Sequence, residues 1–170
     1  MRFDHVLVVG AGQMGGGIAQ VVAASGRHVS LHDAAPGAAE RGLETMRKSL
    51  SKLAEKGGTD PEEVLERVTV VDEIVPAALM IEAVVEDADI KEEVFRRADT
   101  TLPPAAVLAS NTSSIPISSL AEATERPRRL GRGRADEVFM GAGFAAWARV
   151  PAQSEISSSP ARRCGLRARA

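Results

Sequence analysis

The chain has 170 residues, 44% of them hydrophobic and 26% charged, with a formal net charge of -2. That length suits one domain, or a domain plus a fragment, and the balance of apolar and charged residues excludes a collagen, a coiled coil and wholesale disorder. With aromatics at 3%, Trp147 alone, no tyrosine and no global basic field, no nucleic-acid partner is expected, because base-stacking modules need aromatic platforms.

Cys164 is the single cysteine, so no internal disulfide or multi-thiolate metal site is expected, and a reducing, cytoplasmic compartment is. The first apolar run, Val6 to Ala11, follows no basic segment and is too short to span a bilayer, so no membrane partner is expected.

In chain order, Phe3 to Val9 is an apolar run ending at glycine, the form of a strand buried on both faces of a parallel sheet. From Gln13, Ile18, Val21 and Val22 recur at helical spacing until Ser25-Gly26 stops the helix. His28 to Asp33 alternates as a second strand, and Ala34-Ala35-Pro36-Gly37 breaks it, completing a βαβ unit. Ala38 to Lys56 carries one apolar stripe, Leu43, Met46, Leu50 and Leu53, on an otherwise polar helix. Asp60 ahead of Pro61 and Glu62 reads as the N-cap of a shorter helix reaching Arg67, so the two form a helical hairpin after strand two. Val68 to Val71 and Leu79 to Val85 are read as strands three and four, Ile90 to Thr101 as a helix, and Ala105 to Ala109 as strand five. The alternation predicts an α/β, Rossmann-like doubly wound parallel sheet with an inserted helical hairpin.

Gly10-Ala11-Gly12-Gln13-Met14-Gly15 is a GxGxxG pattern lying between the first strand and its helix. Asp33 follows Gly15 by 18 residues, at the end of the next strand, close to the ~20 of the dinucleotide fingerprint. In that reading Gly10 makes the tight turn, Gly12 lets backbone N–H groups approach a pyrophosphate, and Gly15 lets helix and strand pack closely, with the helix N-terminus drawing the phosphate charge. Asp33 would accept from the adenosine ribose hydroxyls and repel a 2′-phosphate; Ala34-Ala35-Pro36 offers no arginine to hold one, so NAD is expected rather than NADP. The bland reading of the same residues is a structural glycine turn.

Two further segments lie past strand ends, where an open parallel sheet places its ligands. They are Glu86-Asp87-Ala88-Asp89-Ile90-Lys91 after strand four and Ser110-Asn111-Thr112-Ser113-Ser114 after strand five. Taken alone, Asp89 caps a helix and the Ser/Thr cluster makes local turns as readily as either builds a site.

These motifs together with Val8-Val9 before the glycines, Gly16-Gly17-Ile18-Ala19-Gln20 after them, Val84-Val85-Glu86 and Lys91-Glu92-Glu93-Val94-Phe95 closely resemble the NAD-binding domain of the 3-hydroxyacyl-CoA dehydrogenases, including bacterial 3-hydroxybutyryl-CoA dehydrogenases. The similarity runs to about Arg129. It implies oxidation of an (S)-3-hydroxyacyl-CoA to the 3-ketoacyl-CoA with NAD as cofactor. By motif position it implies Gly10, Gly12, Gln13, Met14, Gly15, Asp33, Glu86, Lys91 and Ser113 along the cofactor. Ser113 would also bond the substrate's 3-oxygen, and Ser49 and Lys56 would meet CoA. Lys48, Lys52 and Lys56 repeat every four residues, giving a basic helix face suited to CoA phosphates or simply to solvent.

The resemblance breaks down beyond that point. The family's general base is a histidine in a G-x-H-F-x-N-P segment soon after the N-T-S-S loop; here Leu130-Gly131-Arg132-Gly133-Arg134-Ala135-Asp136-Glu137-Val138 has none. From Arg128 onward nine arginines stand against three acids and no lysine, a net of +6, which leaves -8 for residues 1–127. The expected division is a cofactor domain over 1–129 and an irregular, disordered basic tail over 130–170, from truncation or a shifted reading frame in a GC-rich gene, with a natural basic tail as the alternative. Strand five would then stand at an exposed edge unless the tail covers it. The family's homodimer is not expected without its helical second domain.

Overall fold

The computed structural model describes residues 3–132. Six parallel strands form one sheet: β1 (His5–Val9), β2 (His28–His32), β3 (Val68–Val71), β4 (Leu79–Glu82), β5 (Val107–Ser110) and β6 (Leu130–Arg132). Their order is β3-β2-β1-β4-β5-β6, so the chain winds outward from β1 first to one side and then, after β3, to the other. That reversal between β1 and β4 is the switch point at which such sheets bind ligands.

Alternation along each strand divides the core in two. Val6, Val8, Leu31, Leu79 and Ile81 face α1 (Gln13–Ala24), α2 (Ala38–Ala54) and α3 (Pro61–Leu65). Leu7, Val9, Met80 and Leu108 face α4 (Ala88–Thr101) and α5 (Ile117–Glu122). With side chains buried on both faces, the strands read as continuous apolar runs, which is why the sequence pattern located most of them.

Several expected boundaries shift, each for a local reason. Strand four stops at Glu82, not Val85, because the Glu82 carboxylate takes the Val84 N–H at 2.7 Å and turns the chain out of the sheet, leaving Val85 64% exposed. The cap of α4 is Asp87, accepting from Ile90 N at 3.1 Å, while Asp89 lies inside the first turn. Helix α2 ends at Ala54, and Lys56 sits in the turn before Gly57, whose φ of +87° favours glycine. Leu53 falls off the buried stripe and is 49% exposed, whereas Met46 and Leu50 are buried. Asp60 caps α3 as expected, accepting from Glu62 N at 3.0 Å.

The expected bare edge at strand five is covered. Leu130, Gly131 and Arg132 pair in parallel with Leu108, Ala109 and Ser110, so β6 begins where the expected tail begins. Helix α5 and a single 3₁₀ turn, Pro127–Arg129, lead into it, and the Arg126 guanidinium bonds the Asp99 carboxylate and, at 2.5 Å, the Pro103 carbonyl. The rest of the 130–170 segment, from 133 onward, lies outside the described residues.

Candidate functional site

The turn from β1 into α1 is built by two glycines that admit no side chain. Gly10 has φ +102°, and a Cβ there would lie 2.5 Å from the Ala83 carbonyl oxygen. A Cβ on Gly15 would fall 1.7 Å from the Gly10 oxygen, so α1 packs directly on the turn. Gly12 differs: a Cβ would meet nothing within 4 Å, and the space above it is the floor of a cavity. Gly12 is also the N-cap of α1, which has no capping side chain and no acidic residue in its first turn. The positive end of the helix dipole therefore opens into that cavity.

The cavity measures about 660 Å³ and is walled by Gly12, Gln13, Gly16, Asp33, Ser49 and residues from one face of α2, among them Arg41, Gly42 and Met46. Gly42 lets α2 close over the turn, since a Cβ there would lie 2.7 Å from the Ala11 oxygen. Asp33 follows β2 and is half-buried, with Oδ2 accepting from Ala11 N at 2.7 Å and Oδ1 from Ala35 N at 2.9 Å. An ionised carboxylate has about four acceptor positions, so these two bonds fix its direction and leave capacity for two hydroxyls. A cradle open at Gly12 and a helix N-terminus that donates, with an oriented carboxylate that accepts, are the groups that a diphosphate-linked ribose requires.

A second cluster joins the loops after β4 and β5. Glu86 Oε1 accepts from Thr112 Oγ1 at 2.5 Å, from Ser113 N and Ser114 N at 3.0 Å each, and from Ser114 Oγ at 2.9 Å. These bonds, Thr112 foremost, hold the Glu86 carboxyl far below the ordinary glutamate value. Its Oε2 lies 3.3 Å from Lys91 Nζ. Lys91 is wholly buried and also reaches Glu82 Oε1 at 2.7 Å, while Ser110 Oγ donates to Glu82 Oε2 at 2.5 Å. Ser113 itself is exposed, its N–H spent on Glu86.

Gly12, Gln13, Asp33 and Ser49 thus share one cavity; Gly10, Met14 and Gly15 are not among its walls, the two glycines being packed inside the turn and Met14 exposed. Glu86, Lys91 and Ser113 form the other group, outside the walls of that cavity. Lys56 belongs to neither and is exposed in the turn after α2, while Lys48 pairs with Glu44 at 3.7 Å. Sequence reasoning missed Arg41 and Gly42 of the cavity and Glu82 of the cluster, while Ser110 and Thr112 lie in the segment it singled out after strand five, without the glutamate partners the fold gives them. A glutamate closing an otherwise apolar strand was the one signal for the cluster. Among the described residues no group of histidines, cysteines and acids could hold a metal ion, and no helix is long and apolar enough to cross a membrane.

The family model of the 3-hydroxyacyl-CoA dehydrogenase NAD binding domain matches residues 5–133. A probable 3-hydroxybutyryl-CoA dehydrogenase of Deinococcus radiodurans is 49% identical over 128 residues, 72% of this chain and 46% of that protein. Its counterpart in Bacillus subtilis is 42% identical over 136 residues, 76% of this chain and 47% of that protein. The crystal structure of FadB2 from M. tuberculosis superposes with a TM-score of 0.76 at 38% identity, covering 79% of this chain and 50% of that one. The chain spans about half the length of the curated relatives it matches. With its sheet order, its glycine turn and a match over residues 5–133, the chain belongs to the 3-hydroxyacyl-CoA dehydrogenase family and carries that family's NAD-binding domain.

Proposed function

We propose that this chain binds NAD between the glycine turn and α2 and serves the oxidation of 3-hydroxyacyl-CoA, most directly a short-chain one. The observation that carries the reading is the cavity that joins the open N-terminus of α1 to the oriented Asp33 carboxylate. The pyrophosphate lies over Gly12 and the first-turn N–H groups of Gln13 and Met14, and Asp33 accepts from the adenosine ribose. Toward the switch point, the Glu86 carboxylate draws Thr112, Ser113 and Ser114 into one rigid loop, which presents the exposed Ser113 hydroxyl to the substrate's 3-oxygen. Ser49, on the cavity side of α2, and Lys56, beyond its end, meet the CoA portion. When bound, NAD accepts the hydride leaving C3 of the substrate.

The hydroxyl proton must also leave, and here a second reading gains support. The segment Arg128 to Val138 contains no histidine. His5 and His28 start β1 and β2, at the sheet edge opposite the binding loops, and His32 is tied through Nδ1 to Val71 O at 3.1 Å. A missing general base costs ~10² to 10⁴ in rate, so binding of NAD without useful turnover is the alternative. A third possibility, a dehydrogenase of free hydroxyacids, is disfavoured by the N-T-S-S loop and the helical hairpin.

The test is titration of the full chain with NADH, followed by nicotinamide absorbance in the presence of acetoacetyl-CoA. Binding with turnover supports the first reading, and binding without turnover the second. Turnover of a free 3-ketoacid such as acetoacetate, but not of acetoacetyl-CoA, supports the third, and no NADH binding overturns all three.

A further inference from the structure

We propose that Arg41 is a latent 2′-phosphate clamp, so that this chain's choice of NAD over NADP rests on the single charge of Asp33. The inference rests on the reading of the cavity as the NAD site and concerns its adenosine end. Sequence reasoning finds no arginine between Asp33 and Gly37, yet the fold delivers one from the first turn of α2: Arg41 walls the same cavity as Asp33, Ala35 and Ala38.

Its guanidinium lies folded over the turn between β2 and α2. Arg41 Nη1 donates to Pro36 O at 3.3 Å, and a Cβ on Gly37 would come within 2.9 Å of that nitrogen. Gly37 therefore both adopts φ +69° and leaves the guanidinium its place. Among the described residues Arg41 makes no ion pair, whereas Arg47, Arg67, Arg96 and Arg126 each face a carboxylate. A planar guanidinium with no carboxylate partner, held only by a 3.3 Å bond to Pro36 O on this cavity wall, is suited to a phosphate, which it can hold through two parallel hydrogen bonds.

The wall thus carries both signs. Asp33 is held in place by the Ala11 and Ala35 N–H groups, accepts from a 2′-hydroxyl and opposes a 2′-phosphate. Arg41 attracts the phosphate that Asp33 repels. Neutralising Asp33 leaves an arginine-lined pocket of the kind that NADP-binding sheets use at this place.

The experiment is calorimetric titration of the full chain with NAD and with NADP for wild type, Asp33→Asn, Arg41→Gln and the double variant, with Asp33→Ser as a second neutral form if Asp33→Asn loses its circular dichroism signature. The expected result is that the neutral Asp33 variant gains about tenfold or more in NADP affinity relative to NAD, and that Arg41→Gln in that background abolishes the gain. In the wild-type background Arg41→Gln is expected to lower the ratio of NADP to NAD affinity. A gain that survives loss of Arg41, no gain in a folded Asp33 variant that still binds NAD, or an unchanged ratio in Arg41→Gln would each overturn the proposal. Failure of wild type to bind either dinucleotide would instead overturn the NAD reading beneath it.

Discussion

Glu82 Oε1 and Lys91 Nζ lie 2.7 Å apart with both side chains wholly removed from solvent. The pair is fully bonded: Glu82 also takes Ser110 Oγ and Val84 N, and Lys91 also reaches Glu86 and, at 3.5 Å, Val84 O. Among the described residues no buried side-chain polar atom lacks a partner. Removing one member strands a buried charge, so Lys91→Met is expected to cost ~3 to 5 kcal/mol in urea denaturation. Adding Glu82→Leu should recover much of that loss; a double variant no better than the single one would show that Lys91 acts through packing alone.

The glycines of the turn should separate folding from binding. Gly15→Ala forces a Cβ into the Gly10 carbonyl and is expected to lower both stability and NADH affinity. Gly12→Ala meets nothing within 4 Å, and its φ of -65° suits alanine, so stability should stay within about 0.5 kcal/mol. Its methyl group would stand where the proposed binding mode puts the pyrophosphate, so NADH affinity should fall by about tenfold or more. Denaturant midpoints and NADH titration on the same samples check both halves.

Asp33→Ala should weaken NAD more than acetoacetyl-CoA, because in the proposed binding mode this cavity-wall carboxylate meets the adenosine ribose. Competitive titration of the two ligands measures the difference. Equal losses would show that the fingerprint had been assigned to the wrong ligand.

Glu86 supplies the pH dependence. Its carboxyl is held below the ordinary value in the fold, so its stabilising bonds are complete above the unfolded-state value of about 4.3 and are lost as pH falls toward the folded one. Glu86→Gln lacks that contribution, so wild type should be more stable than the variant near neutrality, with the gap closing on acidification. The side chain is 37% exposed, and solvent screening keeps the effect to about 1 kcal/mol or less. Urea midpoints measured from neutral pH into the acid range test it; a gap that widens on acidification would reverse the assignment.

Much of this was legible because parallel strands buried on both faces are written as apolar runs and helix starts as caps. The runs around Val6 to Val9 and Val68 to Val71 and the Asp60 cap needed only local pattern. What was not legible depends on residues distant in sequence. Glu82 and Lys91 are nine positions apart across a loop, so no helical or strand period joins them. The shift from Asp89 to Asp87 as cap follows from where β4 ends, which the Glu82 carboxylate decides rather than the apolar run through Val85. β6 is three residues centred on a glycine, and α5 is short and serine-rich, so neither carries a period strong enough to read. In the cavity, Asp33 and the glycines announced themselves through spacing, whereas Arg41 enters only because α2 folds back over the turn.

The sheet divides the apolar core into two clusters, one on each face. Leu7 and Val8 are chain neighbours, yet one packs toward α4 and the other toward α1. Truncations in opposite clusters that lie more than about 10 Å apart should have energetic effects that add, as those of independent sites do. The cavity over Gly12 is walled by α1, α2 and the turns that follow β1 and β2, whereas Ser113 is tied to Glu86, and Glu86 to Lys91 in the first turn of α4. Substitutions at the cavity wall on α2 therefore lie apart from the hydrogen bonds that hold the Ser113 loop to Glu86, so the proposed nucleotide grip can change without altering those bonds.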